Sequence, residues 1–417
     1  MTISLPMACG DRTVALTFDV SAEVLNIREP ETVIDARRFQ QRVARFLAAR
    51  PLDLSNPAVV VADKTRLCDY PHYLPVLLEQ LIEAGASSHT ITLYIAYGTH
   101  PRQGDTQSRR AYGPVYDRYT WVHHRCDDMG LFDQRGQTRR GTPVWIRKDI
   151  AQASSVITFG AISHHYFAGF GGGRKLLFPG LGAQTAIYAN HGLFLDRRQR
   201  VLAAGCRPGR LAGNPLAEDL AEVEAHLPAD MAVHGILNSR GRVCDLVVGQ
   251  GAGCFQAACD QHARACASTS RRQYDLVVAS CGGYPKDVNF IQSHKAVHHA
   301  AAFVRDGGRL VVLAQCRDGI GSDTFLPWFE CGGWDGAFDR LCEHYVGNGG
   351  TALAMMAKTG RLSIELVTDL DPDTARRIGV QTLPADRLQK TLDRHRGSIA
   401  VIPNASMLVR RPEDAKE

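Results

Sequence analysis

Val59-Val60-Val61-Ala62-Asp63-Lys64-Thr65-Arg66 is a short apolar run ending in a charged turn, and its reading decides the fold. Four apolar residues in a row, without polar alternation, fit a strand covered on both faces, as in a parallel sheet. Two more runs repeat the pattern. Ile91 to Ala96 ends in Gly98-Thr99-His100, and Val156 to Phe159 leads into a glycine-rich stretch from Ser163 to Lys175. Between the runs the period is helical: Ala36, Phe39, Val43, Phe46 and Leu47, then Leu74 to Ala84 with Gly85 placed to end the helix. Strands alternating with amphipathic helices predict parallel crossovers, and ligands gather beyond the carboxyl ends of such strands. All three polar motifs stand just past a strand end.

Downstream, Gly213-Asn214-Pro215 opens a helix through Leu216, Leu220 and Val223. Val233 to Val248 reads as a hairpin turning at Ser239-Arg240-Gly241, and 252–272 as a helix. A second alternation follows, with strands Leu276–Ser280, Leu310–Ala314, Ile364–Val367 and Ile399–Ile402 and a helix from Ser293 to Phe303. Residues 317–350 carry Gly-rich and aromatic loop material without an assigned role. The predicted class is therefore α/β, two Rossmann-like domains with mostly parallel sheets and an active-site cleft between them. Residues 1–272 form the first domain, 273–402 the second, and 403–417 are candidates to return to the first.

Composition agrees with a globular chain. At 417 residues it is long for one core, with 45% hydrophobic and 22% charged residues. A net charge of +5 spread over this length does not make the concentrated basic stripe that nucleic acid requires. The opening MTISLPMACGDRTVALTF has no cationic start followed by an apolar run, and no window approaches 18 apolar residues. No signal peptide and no membrane helix are expected. Twelve cysteines stand singly without a Cys-x-x-Cys pair, which argues against a disulfide scaffold and for a reducing, cytoplasmic setting.

The glycine-rich stretch holds Gly169, Gly171, Gly172 and Gly173, the cations Arg174 and Lys175, and imidazoles on both sides at His164, His165 and His191. Glycine is costly to order, and His and Lys are costly to bury, so a bound ligand is the expected reason for the combination. It is not a P-loop. Leu176 follows Lys175 where a magnesium-binding hydroxyl is needed, which excludes nucleoside triphosphate hydrolysis. A zinc hydrolase would want His-Glu-x-x-His; none is present, leaving only convergence of His100, His165 and His191. Asp63 and Arg66 read either as a helix cap with a surface arginine or as an anion-binding pair. His100 at a sheet edge suits acid–base work. Lys175 reads as a surface ion pair or as a tuned amine open to covalent attachment. Gln292 and Lys295, three apart at a helix start, project together. His298 and His299 are taken as surface or interface histidines.

In this order the motifs resemble the nickel-pincer nucleotide-dependent lactate racemase family. Asp63-x-x-Arg66, Gly98-Thr99-His100, His165 with Gly169-Phe170-x-Gly172-Gly173-Arg174-Lys175, Pro179-Gly180, Asn190-His191, Gly213-Asn214-Pro215 and Gln292-x-x-Lys295 carry the resemblance from residue 63 to 295. It implies a 2-hydroxy acid racemase or epimerase that inverts C2 by proton-coupled hydride transfer through a 2-keto acid. The implied cofactor is a nickel-pincer nucleotide, a pyridinium-3-thioamide-5-thiocarboxylic acid mononucleotide with nickel, covalently attached at Lys175 in the first domain. His191 would complete the nickel's coordination, and Gly172, Gly173 and Arg174 would line the cofactor. His100 and His165 would be the acid–base pair. Arg66 and Lys295 would hold substrate, with Asp63 and Gln292 as their polar neighbours. The implied partners are a small 2-hydroxy acid and the cofactor's biosynthetic enzymes. Gly171 stands where the family commonly has serine, and Leu67 where proline is common, so lactate, malate, aryl-lactates and aldonic acids all remain open as substrates. The rival readings are a non-catalytic anion- or nucleotide-binding module and a zinc-dependent hydrolase.

Overall fold

Two six-stranded sheets carry the chain, one for each half of the strand–helix alternation. The computed structural model describes residues 2–30 and 32–411, which divide into two compact units. A mid-chain unit comprises Glu29–Leu193 and Ala204–Ala265. A terminal unit comprises the chain's two ends and the short insert Phe194–Ala203.

The mid-chain sheet runs Val243–Gly249, Met231–Leu237, Ser155–Ala161, Pro57–Ala62, Thr92–Ala96 and Thr120–His123, parallel except for the first pair. Val59, Val60 and Val61 are wholly buried, as an uninterrupted apolar run at the centre of a two-faced sheet should be. Helix Ala36–Ala49 is capped by Asp35, whose carboxylate accepts from the Arg38 amide at 2.7 Å, and it buries Phe39, Val43 and Leu47. Phe39 stacks on Tyr73 of helix Tyr70–Glu83 at 5.0 Å and meets the edge of Phe159 at 5.5 Å. Each such ring buried contributes ~2 kcal/mol from the area it removes from water. The hairpin predicted to turn at Ser239-Arg240-Gly241 is present between Met231–Leu237 and Val243–Gly249.

The terminal sheet is parallel throughout, in the order Gln381–Thr382, Ser363–Val367, Val304–Leu313, Tyr274–Ser280, Ile399–Ile402, Glu23–Val24. Its last strand comes from the start of the chain, which corrects the expected domain limits. Residues 2–28 belong here and not with the first domain: Thr2–Cys9 and Arg12–Asp19 form a hairpin, and Met7, Leu16 and Phe18 share a core with Leu276, Val311 and Leu388. The tail does not return to the mid-chain unit either. Val409–Arg410 pair with Ala267–Ser268, and the Ala405 amide donates to Ser280 O at 2.9 Å. Residues 412–417 lie outside the described residues.

The boundary falls at 265/266 and not at 272 because helix Gly251–Cys266 gives way to the short strand Ala267–Ser268. The unassigned stretch 317–350 holds a 3₁₀ turn, Leu326–Glu330, and helix Gly333–Glu343. His299 is no surface residue: it is buried, and its Nδ1 donates to Ala405 O at 3.0 Å. Among the described residues no helix is long and apolar enough to cross a membrane.

Candidate active site

Because strands Pro57–Ala62, Thr92–Ala96 and Ser155–Ala161 run parallel and adjacent, the segments leaving their carboxyl ends share one edge of the mid-chain sheet. Asp63 leaves the first strand and is 4% exposed. It caps no helix. Its Oδ1 accepts from the Thr65 amide at 2.8 Å and the Thr65 hydroxyl at 2.6 Å, closing a tight turn. Its Oδ2 lies 2.6 Å from His100 Nδ1. Burial would raise this carboxyl, but the bond and charge of His100, the Arg66 guanidinium and the Thr65 hydroxyl outweigh it and hold the pKa at about 2. The carboxylate is ionised, so His100 donates to it from Nδ1 and the neutral ring has its lone pair on Nε2.

A layer beneath fixes this turn. The Lys64 amide donates to Gln103 Oε1 at 2.8 Å, and buried Gln103 donates onward to Ser108 Oγ at 3.0 Å. Tyr112 OH donates to Ala62 O at 2.9 Å, and Tyr70 OH accepts from the Ala62 amide at 2.8 Å.

His165 stands in a hairpin, Ser163–His165 against Gly169–Gly171, at the end of strand Ser155–Ala161. The return strand leads into the 3₁₀ turn Gly173–Leu176 that carries Lys175. Gly172 and Gly173 take backbone conformations that favour glycine. A Cβ on Gly172 (φ +79°) would come 2.0 Å from Ala161 O, and one on Gly173 (φ +53°) 2.5 Å from the Phe255 ring. These glycines are needed for contact with the chain itself. Arg174 also faces protein: its guanidinium lies 5.0 Å over the Phe255 ring and donates to Ala217 O at 2.8 Å.

Lys175 is different. Burial, then the charges of Arg66 and Arg174, push its amine down to about 7, so a large fraction is neutral and nucleophilic near neutral pH. On helix Gln184–Gly192, His191 Nδ1 donates to Ile187 O at 2.8 Å, which fixes the tautomer with its lone pair on Nε2. Burial, followed by the Lys175 charge, pushes this imidazole down to about 3 against the raising effect of the Ile187 carbonyl; His100 and Arg66 lower it further. Arg66, His100 and Lys175 therefore all lie within electrostatic reach of His191, and Arg66 within reach of Lys175. Gln292 and Lys295 belong to the terminal unit, where they form their own pair at the start of helix Phe290–Ala301, Lys295 Nζ donating to Gln292 Oε1 at 2.8 Å.

The sequence reading missed Asp219. It is fully buried and accepts from Thr138 Oγ1, from Thr142 Oγ1 at 2.7 Å and from Asn190 Nδ2 at 2.8 Å, so it anchors the residue next to His191. The visible signal was an acid on the apolar stripe Leu216, Leu220, Val223. Among the described residues no group of three or more His, Cys, Asp or Glu could hold a metal, so the donor set of the zinc-hydrolase reading is not built.

This edge is the kind of site an α/β enzyme uses, and comparison with known proteins gives its family. Residues 41–202 match the lactate racemase N-terminal domain and 269–335 the lactate racemase C-terminal domain. The lactate racemase of Thermoanaerobacterium thermosaccharolyticum is 26% identical over 276 residues, covering 66% of this chain and 63% of that protein. The lactate racemase of Lactiplantibacillus plantarum is 28% identical over 273 residues, covering 65% and 62%. The matched stretches thus span less than two thirds of either relative. In fold, the apoprotein of the Thermoanaerobacterium enzyme superposes with a TM-score of 0.88 at 20% identity, over 98% of this chain and 100% of that one. A Thermotoga maritima protein superposes with a TM-score of 0.68 at 13% identity, over 91% and 98%. The chain belongs to the lactate racemase family.

Proposed function

We propose that this chain is an isomerase that inverts C2 of a 2-hydroxy acid, using a nickel-pincer nucleotide attached at Lys175. The observation that carries the reading is the Lys175–His191 pair: an amine held at about 7 beside an imidazole whose Nδ1 is committed to Ile187 O. The residues fit such a group. A neutral amine can be acylated near pH 7. A single protein imidazole with its lone pair on Nε2 would suit a nickel ion whose other donors arrive with the cofactor. When bound, the nucleotide supplies a reversible hydride acceptor.

The remaining work falls to the protein. Arg66 offers a planar fork for the substrate carboxylate, which orients C2. His100, oriented by Asp63, takes the hydroxyl proton at Nε2 and returns it. Asp219 and Asn190 hold the His191 helix in place.

The test is chiral conversion across a panel of lactate, malate, aryl-lactates and aldonic acids, on protein made in a host able to build the cofactor, together with intact mass and elemental analysis. Conversion of at least one member, a mass adduct mapping to Lys175 and about one nickel per chain support the proposal. Unmodified Lys175 from such a host would favour a non-catalytic anion-binding protein.

A further inference from the structure

His123 ends the strand Thr120–His123, which lies beside Thr92–Ala96, the strand that leads into the His100 loop. Its ring is held at both nitrogens. Nδ1 lies 2.8 Å from Tyr97 OH and Nε2 3.1 Å from Tyr116 OH, and the ring stacks on Tyr97 at 5.9 Å, inclined by 16°. The direction of each bond follows from the far end, where Tyr116 OH donates to Asp105 Oδ1 at 3.0 Å. A phenol has one proton, so Tyr116 can only accept from His123, and the neutral ring carries its proton on Nε2. Nδ1 is then an acceptor, and Tyr97 OH donates to it. Burial, followed by the Arg102 charge, lowers this imidazole against the raising effect of Asp105, which favours the neutral ring.

Tyr97 is 3% exposed and stands where the His100 loop leaves its strand. With its proton committed to His123, its oxygen has a lone pair for the Gln103 amide, 3.4 Å away, while its carbonyl accepts from the His100 amide at 3.0 Å. One residue thus ties the loop from 97 to 103 at both ends. Gln103 Oε1 in turn takes the Lys64 amide at 2.8 Å, next to Asp63. Tyr97 and Gln103 therefore hold the His100 loop in register with the Asp63 turn, and that register sets the 2.6 Å contact between His100 Nδ1 and Asp63 Oδ2. The chain of bonds ends on backbone amides and not on the His100 ring, so it is a brace and not a proton path.

We propose that His123 is a positioning residue for His100: its Nδ1 lone pair fixes the Tyr97 hydroxyl, and through Tyr97 it holds the His100 loop against the Asp63 turn. The assignment rests on the racemase reading above, in which His100 exchanges the proton of the substrate hydroxyl. The brace needs an acceptor at position 123 facing Tyr97. A proton on Nδ1 would force the Tyr97 hydroxyl proton to find another acceptor in a buried place, at ~1–3 kcal/mol. Two substitutions of nearly equal size separate this requirement from packing. His123→Asn keeps an acceptor near the Nδ1 position, and His123→Leu does not. Tyr97→Phe keeps the buried ring and removes the hydroxyl.

Two measurements test it. In cofactor-free protein with ¹⁵N-labelled histidine rings, the His123 signals, assigned by their loss in His123→Asn, should show unprotonated Nδ1 and protonated Nε2 at pH 7. The His100 signals, assigned by their loss in His100→Gln, should move in His123→Leu and Tyr97→Phe and keep their wild-type positions in His123→Asn. A proton on His123 Nδ1, or His100 signals that ignore Tyr97→Phe, overturns the proposal and leaves the racemase reading untouched. In enzyme from a host able to build the cofactor, His123→Leu and Tyr97→Phe should lower kcat about ten- to a hundredfold with KM within about twofold of wild type, and His123→Asn should keep kcat within about threefold. Equal losses in His123→Asn and His123→Leu, or a loss that falls on KM, refute it. Should His123→Leu fail to fold, Tyr97→Phe carries the comparison with His123→Asn. Wild-type enzyme that turns over no 2-hydroxy acid overturns the racemase reading, and the positioning role with it, whatever the ring signals show.

Discussion

Removing the positive charge of Arg66, as in Arg66→Met, should raise the Lys175 amine, and the amount follows from the causes acting on it. The amine falls from the ordinary 10.5 to about 7, burial being the largest cause and Arg66 the first of two cations. That displacement corresponds to ~5 kcal/mol in favour of the neutral form. At pH 7 about half of the Lys175 side chains are then uncharged, against roughly one in three thousand for an ordinary lysine. Because burial dominates, the substitution should restore only part of the difference, about one pH unit or less at the effective dielectric of a partly buried site. The assay is competitive labelling of cofactor-free protein with a small amine-directed acylating reagent at a series of pH values, with the adduct quantified at Lys175 by peptide mass. A labelling midpoint near 7 in the wild type, moving upward in Arg66→Met, is expected. A wild-type midpoint near 10 would refute the reasoning, because the amine would then be as well solvated as any surface lysine.

Four further outcomes follow from the same geometry. Asp63→Asn presents an amide N–H₂ to His100 Nδ1 and forces the other tautomer, so turnover of loaded enzyme should fall ~10²–10⁴-fold; activity within a factor of three of wild type would show that Asp63 does not orient the base. Asp219→Ala strands the donors of Thr138, Thr142 and Asn190, and should lower unfolding free energy by ~3 kcal/mol in urea titrations, an unchanged midpoint being the adverse result. Gly173→Ala puts a methyl against Phe255 in a left-handed backbone position and should cost ~1–3 kcal/mol in the same assay; a neutral effect would mean that the turn can move. Acid should destabilise the protein well above carboxylate pKa values. Burial pushes His124, His234 and His299 down to about 4, so below pH 6.5 the unfolded chain binds more protons than the folded one. Stability should be lost progressively from pH 6.5 towards 4, each imidazole contributing up to ~3 kcal/mol, and a urea midpoint that stays flat over that interval would contradict it.

The parallel mid-chain sheet was legible because its strands are apolar on both faces: Val59 to Val61 could hardly be anything else. The placing of the polar motifs was legible for a related reason, since parallel strands deliver Asp63, His100 and the His165 hairpin to one edge wherever crossovers are regular. Side-chain purpose was less visible. Nothing in Gly172-Gly173-Arg174 distinguishes glycines that admit a ligand from glycines that admit Ala161 O and Phe255, and a sequence does not reveal that Arg174 covers a phenylalanine. Long-range pairing was hidden altogether. Glu23–Val24 is too short to signal a strand, and its neighbour in the sheet lies near the other end of the chain. The ring tautomers depend on carbonyls and amides, which no residue name encodes.

That late pairing constrains how the protein is made. Glu23–Val24 emerges from the ribosome long before Ile399–Ile402, beside which it must lie. The Thr2–Asp19 hairpin, with Met7, Leu16 and Phe18 buried in the terminal unit's core, therefore waits until Leu276, Val311, Leu388 and Val401 have been made before the surface that covers it is complete. Prematurely ended chains would leave this apolar hairpin permanently uncovered, which makes it the natural handle for chaperones and proteases to tell a finished molecule from an unfinished one.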